Sequence, residues 1–322
     1  MSFSTDAKDE LIHLPLEKDC CILAELSALT QTTASLGFQG GGRVSITYRV
    51  ENAALARRIY TCLKRSLSVS PQLHFVRHTR LGGRTSCVLT LEGEDAARLM
   101  LAMDMMTRQE DGSLSLKRTT PHLPLTRQCD RRAFLRGCFL GSGSMTNPEK
   151  SYHLEFIADD SELCYLLERT LEKVGLPAHH HERKGSLVVY LKSSQQLADV
   201  LALMGASKAV MALENIRITK QMRADINRAS NCDDHNLERA LSAAEKQVEL
   251  IRQFSMLRGL SSLPAELQTM AQLRLDHPEA SLSELGQLMD PPLSKSGVNH
   301  RLTRLAALIA DPQNDPSPTQ ND

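Results

Sequence analysis

Residues 129–143 read CDRRAFLRGCFLGSG, and residues 20–31 read CCILAELSALTQ. Each is a short apolar run with helical spacing that leads into a strand-like stretch. Behind residues 20–31 come Gly40, Gly41 and Gly42 and then RVSITYRV (43–50); behind residues 129–143 come Asn147-Pro148 and YHLEFIA (152–158). A helical segment follows in each case, ALARRIYTCLKRSL (54–67) and SELCYLLERTLEKVG (161–175). Next is a strand pair, QLHFVRHTR and TSCVLTLEG around Gly82-Gly83, then AHHHER and SLVVYLK around Lys184-Gly185. EDAARLMLAMDMM (94–106) and SQQLADVLALMG (194–205) close the two halves. Two copies of helix, strands, helix, strands, helix predict an α+β domain with pseudo-twofold symmetry over 20–214, its repeats covering about 20–106 and 127–206. Residues 1–19 read as an N-terminal extension.

The chain has 322 residues, 41% of them apolar, enough for two or three domains and a sizeable core. Its 38 Lys+Arg balance 38 Asp+Glu, which excludes a uniformly basic or acidic coat but not a nucleic-acid binder. The zero is a cancellation. Residues 57–84 carry seven bases and no acid, and 117–136 carry six bases against Asp130 alone. Acids gather at the ends, with six in residues 1–30 and three in an acidic tail, 311–322, that is expected to be disordered. The N-terminus lacks a basic start followed by an apolar run, and no stretch approaches the length of a membrane span, so a cytoplasmic protein is expected. Eight cysteines show no CxxC pair or framework spacing and read mostly as buried free thiols; Cys20-Cys21 opens a helix, where packing is weighed against redox sensitivity.

The strand Arg43–Val50 alternates, with Val44, Ile46, Tyr48 and Val50 on one face and Arg43, Ser45, Thr47 and Arg49 on the other. The polar face reads either as a solvated sheet surface or as one that offers Arg43 and Arg49 to a phosphate backbone. Residues 215–258 join a basic connector, with Arg217, Lys220 and Arg223, to a helix whose stripe Leu237, Leu241, Ala244, Val248, Ile251, Ser255 predicts packing on another helix.

Beyond Gly259, residues 259–310 read as three helices. The first, 262–276, has Ser262 near its N-cap and Pro264 in its first turn. Ser281-Leu-Ser-Glu284 is a capping box, and Ser294 caps the last helix after Asp290-Pro-Pro. That helix turns Val298, Leu302, Leu305 and Ile309 inward. Its other face carries Ser296, Gly297, Asn299, His300, Thr303 and Arg304 flanked by Lys295 and Arg301, with no acid from Ser294 to Ile309. A short helix, a break and an acid-free helix suit a helix-turn-helix reader, in which Asn299 reads adenine and Arg301 or Arg304 reads guanine or grips phosphate. A solvated docking bundle is the alternative, but such a face ordinarily mixes signs.

Leu135–Gly143 resembles the LAGLIDADG helix of homing endonucleases, and Leu23–Gln31 resembles its partner. With NRASNCDDHN (227–236) and SLSELGQLM…PLSKSGVNHRLTRL (281–305), the chain resembles the WhiA-type transcriptional regulators over nearly all of residues 20–310. The resemblance implies a two-repeat LAGLIDADG-like domain followed by an all-α helix-turn-helix domain, with roles in sporulation and cell division. In active homing endonucleases the eighth residue of each helix motif is a carboxylate that holds metal. Thr30 and Ser142 stand at the matching positions, which argues against cleavage, and Gly137, Gly141 and Gly143 still allow close helix packing.

The expected function is sequence-specific DNA binding in transcriptional regulation without nuclease activity. The competing readings are a metal-dependent endonuclease and a non-catalytic docking protein of the division machinery. Double-stranded promoter DNA is the expected partner, through Ser294, Lys295, Ser296, Asn299, His300, Arg301, Thr303 and Arg304, with Arg43, Arg49, Arg217, Lys220 and Arg223 as secondary contacts. Another transcription factor or RNA polymerase is a further expected partner. No cofactor or metal is expected: His179, His180 and His181 alternate along a strand, so only the outer two share a face.

Overall fold

In a computed structural model of the chain, α2 (Asp19–Thr33) and α5 (Gln128–Ser142) pack directly on each other. Small residues permit the approach. A Cβ at Gly137 would lie 2.5 Å from the Glu25 carbonyl oxygen and 2.7 Å from the Ala28 Cβ, and one at Gly141 would collide with the Thr32 side chain. Gly143 differs from the expectation, because a Cβ there would meet Phe139 of its own helix rather than the partner helix. The structure describes residues 2–39, 43–78, 84–110 and 112–310. They form two compact units, Met1–Lys220 and Gln221–Asp322.

In the first unit each central helix runs into a four-stranded antiparallel sheet. The first holds β1 (Ala34–Gln39), β2 (Arg43–Val50), β3 (Gln72–His78) and β4 (Arg84–Glu92) in the order β1-β2-β4-β3. The second holds β7 (Gly143–Met145), β8 (Leu154–Ala158), β9 (His179–Arg183) and β10 (Ser186–Leu191) in the order β7-β8-β10-β9. Identical strand order makes the repeat explicit. The intervening helices are α3 (Ala53–Leu67) and α4 (Gly93–Ala102) in one half, α6 (Ser161–Lys173) and α7 (Ser194–Met204) in the other. A short hairpin of β5 (Met106–Arg108) and β6 (Leu114–Leu116) follows the first half. The turns expected at Gly40–Gly42 and Gly82-Gly83, and the acidic tail at 311–322, lie outside the described residues.

The alternation along β2 holds. Val44, Ile46, Tyr48 and Val50 are buried, and Ile46 and Tyr48 stand in register with Leu91 and Leu89 of β4. That apolar face covers the helices, as period-two patterning requires.

The N-terminal residues depart from the expectation of an extension. Helix α1 (Phe3–Ile12) buries Ala7, Leu11 and Ile12 in the main core. The Glu10 carboxylate accepts hydrogen bonds from the Lys208 and Ala209 backbone N–H groups at 2.7 and 3.0 Å, satisfying orphan donors in the first turn of α8 (Ser207–Arg258). Lys8 donates to the Leu140 carbonyl at 3.3 Å, and burial lowers its ammonium to about 8.

The boundary between the units falls within α8, which therefore includes the residues read as a connector. Within the second unit Ala244, Val248 and Ile251 of the predicted stripe are buried, whereas Leu237 and Leu241 are exposed and Ser255 is only partly buried; Phe254, outside the stripe, is buried in its place. Ile251 and Phe254 pack with α9 (Ala265–Asp276), α10 (Leu282–Gln287) and α11 (Lys295–Ala310) in a separate core built on Leu267, Met270, Leu285, Val298, Leu302 and Leu305. Helix α9 starts later than predicted. A 3-10 turn covers Leu260–Ser262, and Leu263 is extended at ψ 151° because the residue before a proline is held out of the α region.

Candidate nucleic-acid interface

The second unit presents its polar helix surface through local capping. The Ser281 hydroxyl accepts from the Glu284 N–H at 3.3 Å, and the Glu284 carboxylate accepts from the Ser281 N–H at 2.7 Å, closing the capping box that opens α10. The Ser281 N–H, and after it the Ser281 hydroxyl, hold the Glu284 carboxyl below its ordinary value. The chain then turns tightly, with the Leu293 N–H on the Gly286 carbonyl at 2.9 Å. A Cβ at Gly286 would sit 2.2 Å from the Leu293 carbonyl oxygen, so only glycine fits this approach. Ser294 begins α11 by accepting from the Gly297 N–H at 3.2 Å, and it also bonds the Ser296 hydroxyl at 2.9 Å.

Burial then sorts the two faces of α11. Val298, Leu302 and Leu305 are buried and Ile309 packs at the edge of their cluster. Ser294, Lys295, Ser296, Asn299, His300, Thr303 and Arg304 are exposed together. Arg301 stands apart: its guanidinium is half-buried and lies 3.8 Å from the Glu266 carboxylate of α9. The Thr303 hydroxyl is turned back onto the Asn299 carbonyl at 2.8 Å. Lys295 and Asn299 also line a cavity of about 420 Å³ with Arg239, Gln247 and Arg274. Arg274 is 2% exposed, donates to the Ala280 carbonyl at 2.6 Å and braces the α9–α10 link.

The secondary positions are less uniform. Arg49 is exposed on the outer face of the first sheet, in register with Val88, beside Ser45 and Thr47; the Arg43 side chain lies outside the described residues. Arg217 is paired with Glu214 at 2.6 Å, the Lys220 ammonium lies 4.6 Å from the centre of the Tyr152 ring, and Arg223 is exposed. On the second sheet Glu155 gathers Ser144 at 2.9 Å, His153 at 3.3 Å and Arg183 at 3.5 Å, which leaves that face mixed in charge. His179 and His181 flank the Tyr190 ring on this face. His180 points the other way and bonds Glu168 of α6 at 2.7 Å, a partner that strand spacing alone does not reveal.

At the two helix ends the hydroxyls are already engaged. Thr30 is 4% exposed and bonds the Leu26 carbonyl at 2.8 Å and the Tyr48 hydroxyl at 2.6 Å. Ser142 donates to the Ile157 carbonyl at 2.7 Å. Midway along this helix pair lies the acid Glu25, 1% exposed. Its carboxylate receives Nε and Nη2 of Arg58, the latter at 3.0 Å, and Nε of Arg136 at 2.8 Å. Arg58 extends to the Ile12 and Leu14 carbonyls at 2.8 and 2.6 Å, and Arg136 to the Met204 carbonyl at 3.2 Å. The triad therefore joins α2, α3, α5, the end of α7 and the segment behind α1. Sequence reading missed it; the lone acid inside an apolar helix was the available signal.

Three family models cover the chain in tandem: "WhiA N-terminal LAGLIDADG-like domain" over residues 19–104, "WhiA LAGLIDADG-like domain" over 131–223 and "WhiA C-terminal HTH domain" over 226–309. The chain is 42% identical over 308 residues to a "Probable cell division protein WhiA" of Heliobacterium modesticaldum, covering 96% of each. It is 37% identical over 305 residues to the protein of that name in Alkaliphilus metalliredigens, covering 95% of this chain and 96% of the relative. The fold matches a crystal structure of full-length DUF199/WhiA from Thermatoga maritima with a TM-score of 0.59 and 23% identity, over 96% of this chain and 98% of that one.

Proposed function

The chain belongs to the WhiA family, and on that premise we propose that it is a sequence-specific DNA-binding transcriptional regulator tied to cell division, chromosome segregation or sporulation. The observation that carries the proposal is the exposed face of α11. Lys295, Asn299, His300 and Arg304 stand together on a capped helix that contains no carboxylate. Such a face is repelled by nothing in a phosphate-lined groove, and its first turn brings free N–H groups as well as side chains to the duplex. Asn299 has the donor and acceptor pair that adenine needs, and Arg304 the fork that guanine needs. Arg49 and Arg223 serve as backbone contacts. Promoter DNA in the cytoplasmic nucleoid is the partner, and a second transcription factor or RNA polymerase would complete the regulatory complex. Among the described residues no helix is long and apolar enough to cross a membrane.

Cleavage has no support in the residues. The hydroxyls of Thr30 and Ser142 do not fit a catalytic divalent ion, and both are already committed to backbone or tyrosine partners.

Genome-wide mapping of bound sites followed by salt-titrated binding to the best of them tests the proposal. Asn299→Ala and Arg304→Ala should each lose about 1–3 kcal/mol of discrimination against a mismatched site, with no nicking in Mg²⁺. Unchanged selectivity in both variants refutes the recognition-helix assignment, and metal-dependent nicking that persists through purification refutes the non-nuclease reading.

A further inference from the structure

The repeat that pairs α2 with α5 also brings their first turns together. Cys20 and Cys21 open α2, and Cys129 and Asp130 open α5. The three sulfurs and one carboxylate oxygen all lie within 4.8 Å of one another. Cys20 Sγ is 3.9 Å from Cys21 Sγ, and Cys129 Sγ is 3.5 Å from Asp130 Oδ1. A tetrahedral zinc ion about 2.3 Å from sulfur and about 2.0–2.2 Å from oxygen sets edges of about 3.8 Å between sulfurs and about 3.5 Å between sulfur and oxygen. The Cys20–Cys21 and Cys129–Asp130 edges match, and the others lie within 4.8 Å.

Asp130 supplies a second argument. It is 6% exposed, and among the described residues no lysine or arginine forms an ion pair with it. The nearby cation is Arg127, whose Nη1 lies 3.9 Å from Cys20 Sγ instead. A buried carboxylate is ordinarily paired or bound to metal, and here its neighbours are thiols. The contrast with Glu25 on the same helix pair, which has two guanidiniums, is direct. Half-buried Cys20 and Cys129 leave a way in, while Cys21 is enclosed.

We propose that Cys20, Cys21, Cys129 and Asp130 bind one thiophilic divalent ion, zinc by preference, in a tetrahedral structural site that clamps the two repeats at their first turns. Three sulfur ligands select zinc over magnesium or calcium, which take oxygen donors. Binding forms three metal–sulfur bonds and one metal–oxygen bond, releases the thiol protons to solvent and changes no oxidation state. The proposal is independent of what α11 reads.

The full chain, isolated under reducing conditions and stripped with chelator, is titrated with Co²⁺ and Zn²⁺. One ion per chain is expected, with the ligand-to-metal charge transfer and d–d bands of tetrahedral cobalt thiolate. Zinc should also raise the thermal midpoint. Cys129→Ser should weaken binding by about a hundred-fold and remove the charge-transfer intensity of one sulfur; if that variant fails to fold, Asp130→Asn should weaken binding by about ten-fold with all three sulfur contributions kept. Cys232→Ser, which changes an exposed thiol, and His180→Ala, which breaks the separate Cys164–Glu168–His180 group, should bind as wild type. No cobalt uptake by the reduced protein overturns the proposal. So does uptake unaffected by Cys129→Ser and Asp130→Asn, or a disulfide among these cysteines in freshly isolated, metal-free protein.

Discussion

Replacing Glu25 by glutamine keeps the shape of the buried triad and removes its negative charge. Two guanidiniums, 6% and 2% exposed, would then face a neutral amide. Arg58 would keep the Ile12 and Leu14 carbonyls and Arg136 the Met204 carbonyl, so the donors are only partly orphaned. The charges are the larger matter. Removing one partner of a buried ion pair costs about 3–5 kcal/mol because the remaining charge is left uncompensated; Arg58 is left so, whereas Arg136 keeps the Glu17 carboxylate at 3.5 Å. Against a total of about 5–15 kcal/mol, that is a large fraction of the stability of the first unit. With a urea slope near the upper end of about 1–3 kcal/mol/M, the midpoint should fall by roughly 1–2 M. The chain has no tryptophan, so far-UV circular dichroism follows the transition. Hydrogen exchange then assigns it: amides in α2, α3 and α5 should lose protection, and those in α9–α11 should not. A loss under about 1 kcal/mol, or one spread equally over both units, refutes the reasoning, since a solvated surface pair has that magnitude.

Gly137→Ala should lower the thermal midpoint by several degrees, because its Cβ meets the Glu25 carbonyl oxygen at 2.5 Å and overpacking costs about 1–3 kcal/mol; an unchanged midpoint would mean that α2 and α5 do not approach so closely. Ser281→Ala should lower second-unit stability by about 1 kcal/mol, read by amide exchange in α10. The Glu284 half of the same box has a lowered folded pKa, so its contribution is present above the unfolded value of 4.5 and fades as pH falls through the folded one. Protection of α10 that strengthens on acidification would contradict that sign. Lys295→Ala should reduce the slope of log K against log salt by about 0.9 if it meets one phosphate, whereas Arg132→Gln should leave the slope alone, since Arg132 donates to the Leu203 carbonyl at 2.8 Å.

What could be read in the sequence was whatever depends on near neighbours. The alternation of β2, the capping box at Ser281 and the inward stripe Val298, Leu302, Leu305 are set within one element, and each is found as read. The helix around Leu237–Ser255 was legible too, but the basic stretch before it read as a connector, although Ser207–Arg258 contains neither glycine nor proline and is one helix. Features that join distant elements were hidden. Nothing local says that Glu25 meets Arg58 and Arg136, that Glu10 caps α8, or that α1 belongs in the core. The cysteines were visible as two groups, Cys20-Cys21 and Cys129, but their convergence follows only from the pairing of α2 with α5.

The triad also changes what the charge runs mean. The basic run at 57–84 includes Arg58, consumed by Glu25, and Arg65, which donates to the Leu16 and Glu17 carbonyls at 3.1 Å. The run at 117–136 includes Arg131, Arg132 and Arg136, all donating to backbone or carboxylate oxygens within the first unit, and Lys117, which pairs with Asp104. These cations brace helices against loops. A count of bases along the chain therefore overstates the field that the repeat domain offers a phosphate backbone. In α11 the count is smaller, but Lys295 and Arg304 are exposed on an acid-free helix. If affinity follows presented rather than total charge, neutralising α11 should abolish most of the salt dependence, and neutralising the internal runs should damage folding before it alters binding.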